Sequence, residues 1–133
     1  MKIKQNVPLV CTRNPSAQKE YYEKHFGFKT VFDSGDFVGL RSNDDAVEMS
    51  FMRDAGEKMM TPYDSKSLVF CFQVDDVDSS YQTLCDSGLT FVQPPTDNPW
   101  GDRSAITMDP LGIQVYLYSE IPVSDKFKPF VKE

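Results

Sequence analysis

The chain has 133 residues, 40% of them hydrophobic, with 14 basic and 20 acidic side chains and a net charge of −6, which suits one domain around one core. That acidic balance leaves no footprint for a phosphate backbone, and no run approaches the roughly 18 apolar residues of a membrane span, so neither nucleic acid nor a membrane is an expected partner. MKIKQNVPLV is too short and polar for a secretory signal, so the expected location is cytoplasmic; Cys11, Cys71 and Cys85, odd in number and widely spaced, read as buried reduced thiols.

In chain order, the apolar stretch NVPLVCT predicts a first strand. Asn14 before Pro15 is an N-cap with proline at the first helical position, and Gly27 supplies a left-handed stop, which predicts a helix over 15–26. FKTVF, FVGLR and AVEMSFM then read as strands, separated by the turn residues of DSGD and SNDD. The sequence of elements then begins again. SLVFCFQV is a strand, and Asp76 caps a helix whose Val77, Tyr81, Leu84 and Cys85 share one face before Gly88 stops it. LTFVQ, RSAITM and IQVYLYS are strands, divided by a loop PPTDNPWGD and the turn DPLG. The expected fold is therefore α+β: tandem βαβββ modules near 1–60 and 66–120, followed by a tail over 121–133 in which Phe127 and Phe130 pack as a short segment.

Period-two alternation assigns the strand faces. Val47, Met49 and Phe51 oppose Glu48, Ser50 and Met52; Ile113, Val115 and Leu117 oppose Gln114, Tyr116 and Tyr118; Leu68, Phe70, Phe72 and Val74 oppose Val69, Cys71 and Gln73. Each apolar row should meet a helix on the outer face. The mixed rows should line a curved mixed sheet around a cup.

With this repeat in place, NPSAQKEYYEKHFGF, VDDVDSSYQTLCDSG and WGDRSAITMDPLGIQVYLY together resemble the vicinal oxygen chelate superfamily, which groups glyoxalase I, extradiol dioxygenases, fosfomycin-resistance enzymes and bleomycin-resistance proteins. The resemblance covers about residues 5–120. It implies paired βαβββ modules around a cup, generally in homodimers, with metal ligands in some members on the first and fourth strand of each module. Those positions fall at Val7, Glu48, Val69 and Tyr116, of which only Glu48 is an ordinary ligand for a divalent cation. The resemblance thus points to the bleomycin-resistance-like branch, in which the cup binds a small molecule without metal or other cofactor.

On that reading there is no catalytic residue. The expected ligand contacts are Phe37, Glu48, Ser50, Trp100, Arg103, Tyr116 and Tyr118. Trp100 is either a hydrophobic plug or a stacking surface for a planar ring, with Phe37 as the matching candidate opposite it. Glu48 is either a partner for Arg103 or another buried cation, or a counter-charge for a cationic ligand, such as a cationic aromatic antibiotic. His25, in the last turn of the first helix, is assigned a structural role. The alternative is a metal-dependent glyoxalase- or dioxygenase-type lyase or oxidoreductase with an unconventional site.

Overall fold

A computed structural model of the chain describes residues 1–53 and 68–132. Contacts divide it into two compact units, Met1–Ser65 and Lys66–Glu133. The expected module boundaries near 60 and 66 lie outside the described residues.

The first unit runs β1 (Leu9–Cys11), α1 (Pro15–Phe26), β2 (Lys29–Asp33), β3 (Phe37–Arg41) and β4 (Glu48–Met52), in a four-stranded sheet of order β1-β4-β3-β2. Strand β1 is parallel to β4, and the remaining pairs are antiparallel. The helix begins where its capping chemistry dictates: the Asn14 carboxamide oxygen accepts from the Ala17 amide at 3.2 Å, and Gly27 closes it at φ 67°. Pro15, Gln18, Tyr21 and Tyr22 form its buried stripe. Tyr22 stacks on Phe51 with centroids 5.9 Å apart and an interplanar angle of 17°, and Met49, Leu40 and Val38 complete the core beneath it.

The second unit repeats this plan with β5 (Val69–Gln73), α2 (Val77–Asp86), β6 (Phe91–Asn98), β7 (Asp102–Met108) and β8 (Gln114–Glu120), in the order β5-β8-β7-β6. Asp76 accepts from the amides of Asp78 and Ser79 at 3.0 and 3.3 Å, and so opens α2. Val77 and Leu84 turn inward with Val115, Leu117, Ala105 and Ile113, all buried. Tyr81 meets Phe91 edge to face at 4.7 Å. The fold is α+β, and the expected curved mixed sheet is realised as two four-stranded mixed sheets, each with a helix on one face. No described helix is long and apolar enough to cross a membrane.

Two expectations are corrected here. PPTDN is not a loop, because β6 continues through Pro94 and Pro95 to Asn98, with breaks in register between Phe91 and Thr96. Proline is tolerated there because β6 is an edge strand, where a missing N–H costs no ladder bond. Nor are all three thiols buried: Cys11 is, Cys85 is half-buried, and Cys71 is exposed on the face of β5 away from α2.

Candidate functional site

Strand β8 owes its phase to the DPLG turn. The Asp109 carboxylate accepts from the amides of Leu111 and Ile113 at 2.8 and 3.0 Å, while Gly112 turns at φ 85° and donates to the Asp109 carbonyl. With Ile113 locked inward, Val115 and Leu117 face the helix, and Gln114, Tyr116 and Tyr118 face the other way. The pairing Cys71↔Tyr116↔Ile106, with Gln73↔Tyr118↔Ser104, extends this row across the sheet. Helix α2 packs on the opposite face, through Val77 and Leu84.

At the end of the sheet, β6 and β7 form a hairpin whose loop is Pro99, Trp100 and Gly101, so that Asn98 pairs with Asp102. A three-residue hairpin loop commonly places a glycine of positive φ last, and Gly101 has φ 113°. This brings four polar side chains together on the open face. The Tyr116 hydroxyl donates to the Asp102 carboxylate, 3.0 and 2.9 Å from its two oxygens. The Asn98 amide nitrogen donates to Asp102 at 2.7 Å and to the Ser104 hydroxyl at 2.8 Å. Burial is the main cause that raises the Tyr116 pKa above its ordinary value of 10.0; the Asp102 charge adds to this, while Ser104 and the Trp100 indole oppose it. Tyr116 therefore stays a neutral donor to the carboxylate.

Trp100 crowns the hairpin with 52% of its surface exposed. The C-terminal tail holds its loop: the Ile121 amide donates to the Gly101 carbonyl at 2.9 Å, the Ser124 amide donates to the Pro99 carbonyl at 3.0 Å, and Phe127 meets the indole edge to face at 6.2 Å. Phe130 meets Phe127 edge to face at 6.0 Å. Tyr116 and Tyr118 stand 6.1 Å apart, and the Tyr118 hydroxyl is 3.5 Å from the Gln73 amide oxygen. Trp100, Tyr116 and Tyr118 thus belong to one face of one unit.

Arg103 does not join them. It pairs with Ser119 in the row that faces α2, where its guanidinium grips the Asp78 carboxylate through two nitrogens at 2.8 and 3.0 Å and reaches Asp97 at 2.9 Å. Hydrogen bonding to Asp78 and then to Asp97 raises its already high pKa, and the guanidinium in turn lowers that of Asp78. Arg103 ties the first turn of α2 to the sheet, and alternation from Ser104 puts it on the face opposite Tyr116.

In the first unit the open row comprises Phe37, Gly39 and Arg41 of β3 with Met52, Ser50 and Glu48 of β4. Phe37 packs edge to face on Phe32 at 5.7 Å. Ser50 is buried beside Gly39, where a Cβ would already touch Val31 and Phe32. Glu48 is bonded by Gln5 and forms an ion pair with Arg41 at 3.5 Å. Its cation is Arg41, its register neighbour, and not Arg103. Phe37 and Trp100 belong to separate units.

The registers also correct the equivalence of Glu48 with Tyr116. The Thr12 amide donates to the Met52 carbonyl and the Val74 amide to the Tyr118 carbonyl, each two residues before its helix cap, so Met52 corresponds to Tyr118. Stepping back along β4 and β8, Ser50 answers Tyr116 and Gln114 answers Glu48. As metal ligands these residues fit poorly. Glu48 is already paired with Arg41, Val7 and Val69 have no ligating side-chain atom, and partial burial followed by the Asp102 charge raises the Cys71 thiol pKa and disfavours its thiolate. Among the described residues no group of three or more His, Cys, Asp or Glu is placed to hold a metal ion. His25 lies against Tyr21 at 5.1 Å at the end of α1, and burial, then Lys24, lower its pKa.

Comparison with known proteins defines the family. The family model described as the Glyoxalase/Bleomycin resistance protein/Dioxygenase superfamily matches residues 4–117. The chain belongs to this superfamily. Similar solved structures include a glyoxalase/bleomycin resistance protein/dioxygenase from Nocardioides, at 17% identity and a TM-score of 0.76 over 91% of this chain and 85% of that one. Another is the bleomycin resistance determinant encoded on transposon Tn5, at 22% identity and a TM-score of 0.69 over 89% of this chain and 98% of that one. At these identities the likeness is one of fold. Uncharacterized protein Rv0887c of Mycobacterium tuberculosis (strain ATCC 25618 / H37Rv) is 35% identical over 72 residues, 53% of this chain and 39% of that protein. The matched segment therefore spans about two fifths of that relative.

The sequence reading missed Asn98 and Asp102. Both flank a three-residue segment ending in glycine, which is the hairpin signal that would have paired them.

Proposed function

We propose that the protein binds a small organic molecule on the open face of its second unit, without a metal of its own. The observation that carries this reading is the half-exposed Trp100 set beside the hydrogen-bonded group of Asn98, Asp102, Ser104 and Tyr116. Such a combination can stack on a planar ring and orient it by polar contacts; an aromatic pair adds about 0.5–1.5 kcal/mol beyond burial. Tyr118 extends the aromatic surface, and in the first unit Phe37 and Ser50 are the corresponding candidates. Likeness to the Tn5 bleomycin resistance determinant supports a cationic aromatic antibiotic as the ligand class to try first. The same reading takes the protein to be a homodimer, as the family resemblance implies, and cytoplasmic, where its free cysteines would stay reduced.

Fluorescence titration tests it, since Trp100 is the chain's single tryptophan. Bleomycin and a panel of planar cationic drugs should include at least one that changes the emission saturably and raises the melting temperature. No response to any of them, in either measurement, would remove the antibiotic-binding reading.

A further inference from the structure

On the second unit's open face the pairing of β7 with β8 sets two acidic residues opposite each other, Asp102 and Glu120, and Asp102 is the one bonded into the polar group at the hairpin, with partners that differ from those of its neighbours. Asp78 and Asp97 share Arg103, and Asp125 takes Lys128. Asp102 is held by neutral donors, the Asn98 amide and the Tyr116 hydroxyl. Its negative charge is positioned without being cancelled.

The donors also leave capacity unused. A carboxylate offers about four acceptor positions, and the single Tyr116 proton plus one Asn98 proton occupy about two. Asn98 directs its amide nitrogen at both Asp102 and Ser104, which commits its donors and leaves its carbonyl oxygen as an acceptor. The group is therefore saturated with donors and rich in acceptors, around one full negative charge. Such an arrangement selects a cation that itself carries several N–H bonds.

Building on the small-molecule reading above, we propose that Asp102, with Asn98, is the recognition site for a protonated primary amine or amidinium group of the ligand, whose attached ring lies towards Trp100 and Tyr118. A charge-assisted hydrogen bond to Asp102 supplies the affinity. A quaternary ammonium carries the same charge but no N–H, and a neutral alcohol carries a donor but no charge, so the site should discriminate against both. Glu48, already paired with Arg41, does not serve this purpose.

The test uses 2-phenylethylammonium, its N-trimethylated derivative and 2-phenylethanol, titrated into the wild-type protein, Asp102→Asn and the charge-matched control Asp86→Asn, with calorimetry and Trp100 emission as readouts and circular dichroism to establish folding. Asp86 is exposed near the end of α2 and accepts from Gln82. The primary ammonium should bind the wild type and Asp86→Asn alike and weaken by about 10- to 100-fold in Asp102→Asn, the range expected for a charge-assisted bond. The trimethylated and neutral probes should bind the wild type at least about tenfold more weakly. Equal binding by folded Asp102→Asn, or a neutral alcohol as tight as the ammonium, overturns the proposal while the small-molecule reading stands. If Asp102→Asn does not fold, the three-probe comparison on the wild type decides alone. Binding of drugs from the panel without binding of 2-phenylethylammonium also overturns this inference by itself, whereas failure of both probe sets overturns both readings.

Discussion

Replacing Phe51 with alanine should lower the unfolding free energy by about 3–5 kcal/mol, the usual cost of emptying a phenylalanine site in a packed core. Phe51 is fully buried in the middle of β4, pairs with Val10 of β1 and Val38 of β3, and stacks on the equally buried Tyr22 of α1. Its removal leaves a cavity under α1 that the rigid strands on either side cannot close. Domains of this size hold about 5–15 kcal/mol in total, so the loss is a large share of the whole. Urea denaturation followed by circular dichroism measures it, and Phe51→Leu, which keeps most of the volume, should lose much less. A Phe51→Ala protein within about 1 kcal/mol of the wild type would show that α1 does not pack on β4 as described.

The second large effect is expected at Gly101. Its φ of 113° lies where side chains are strained, and a Cβ would stand 2.7 Å from Val123 Cγ2 and 3.4 Å from the Ile121 carbonyl oxygen. Gly101→Ala should therefore cost about 1–3 kcal/mol and displace the tail from the hairpin. Because Trp100 shares that loop and touches Phe127, its emission should shift to the red as the tail lifts. Adding Val123→Ala should relieve the steric part and leave the backbone strain, so the double variant should recover only part of the loss. Unchanged melting and emission in Gly101→Ala would contradict the tail's role in holding the Trp100 loop. The same loop joins Asn98 to Asp102, the two ends of the proposed binding site.

Much of this architecture could be read from local chemistry. Asn14, Pro15 and Gly27 in one half, and Asp76 and Gly88 in the other, mark helices whose ends depend on neighbouring residues only. Row assignments for β4, β5 and β8 also follow from alternation, because each has one strongly apolar row. Strand β7 has no such contrast: Arg103, Ala105 and Thr107 face the helix while Asp102, Ser104 and Ile106 face away, and both rows mix polar and apolar residues. Arg103 was therefore open to misplacement.

The candidate site was less legible because its key contacts depend on register. Two prolines made β6 look like a loop, which hid the pairing of Asn98 with Asp102. Turns of different length before β4 and β8 allowed Glu48 to be matched with Tyr116, although the strand pairing matches Glu48 with Gln114. Non-local pairing decides such positions, and a single sequence does not encode it in any one short stretch. The Arg41 to Glu48 ion pair is a further case, since it exists only because β3 and β4 are antiparallel in that register.

The most direct test of the account maps ligand contact residue by residue. Nuclear magnetic resonance titration with 2-phenylethylammonium, or with any drug that shifts the Trp100 emission, should perturb the Trp100 indole N–H, the Asn98 side-chain amide and the backbone amides of Asp102 and Tyr116 together, with saturation at one shared affinity. Saturable shifts confined to α2 and the Arg103 side of the sheet, with those four signals unmoved, would contradict it.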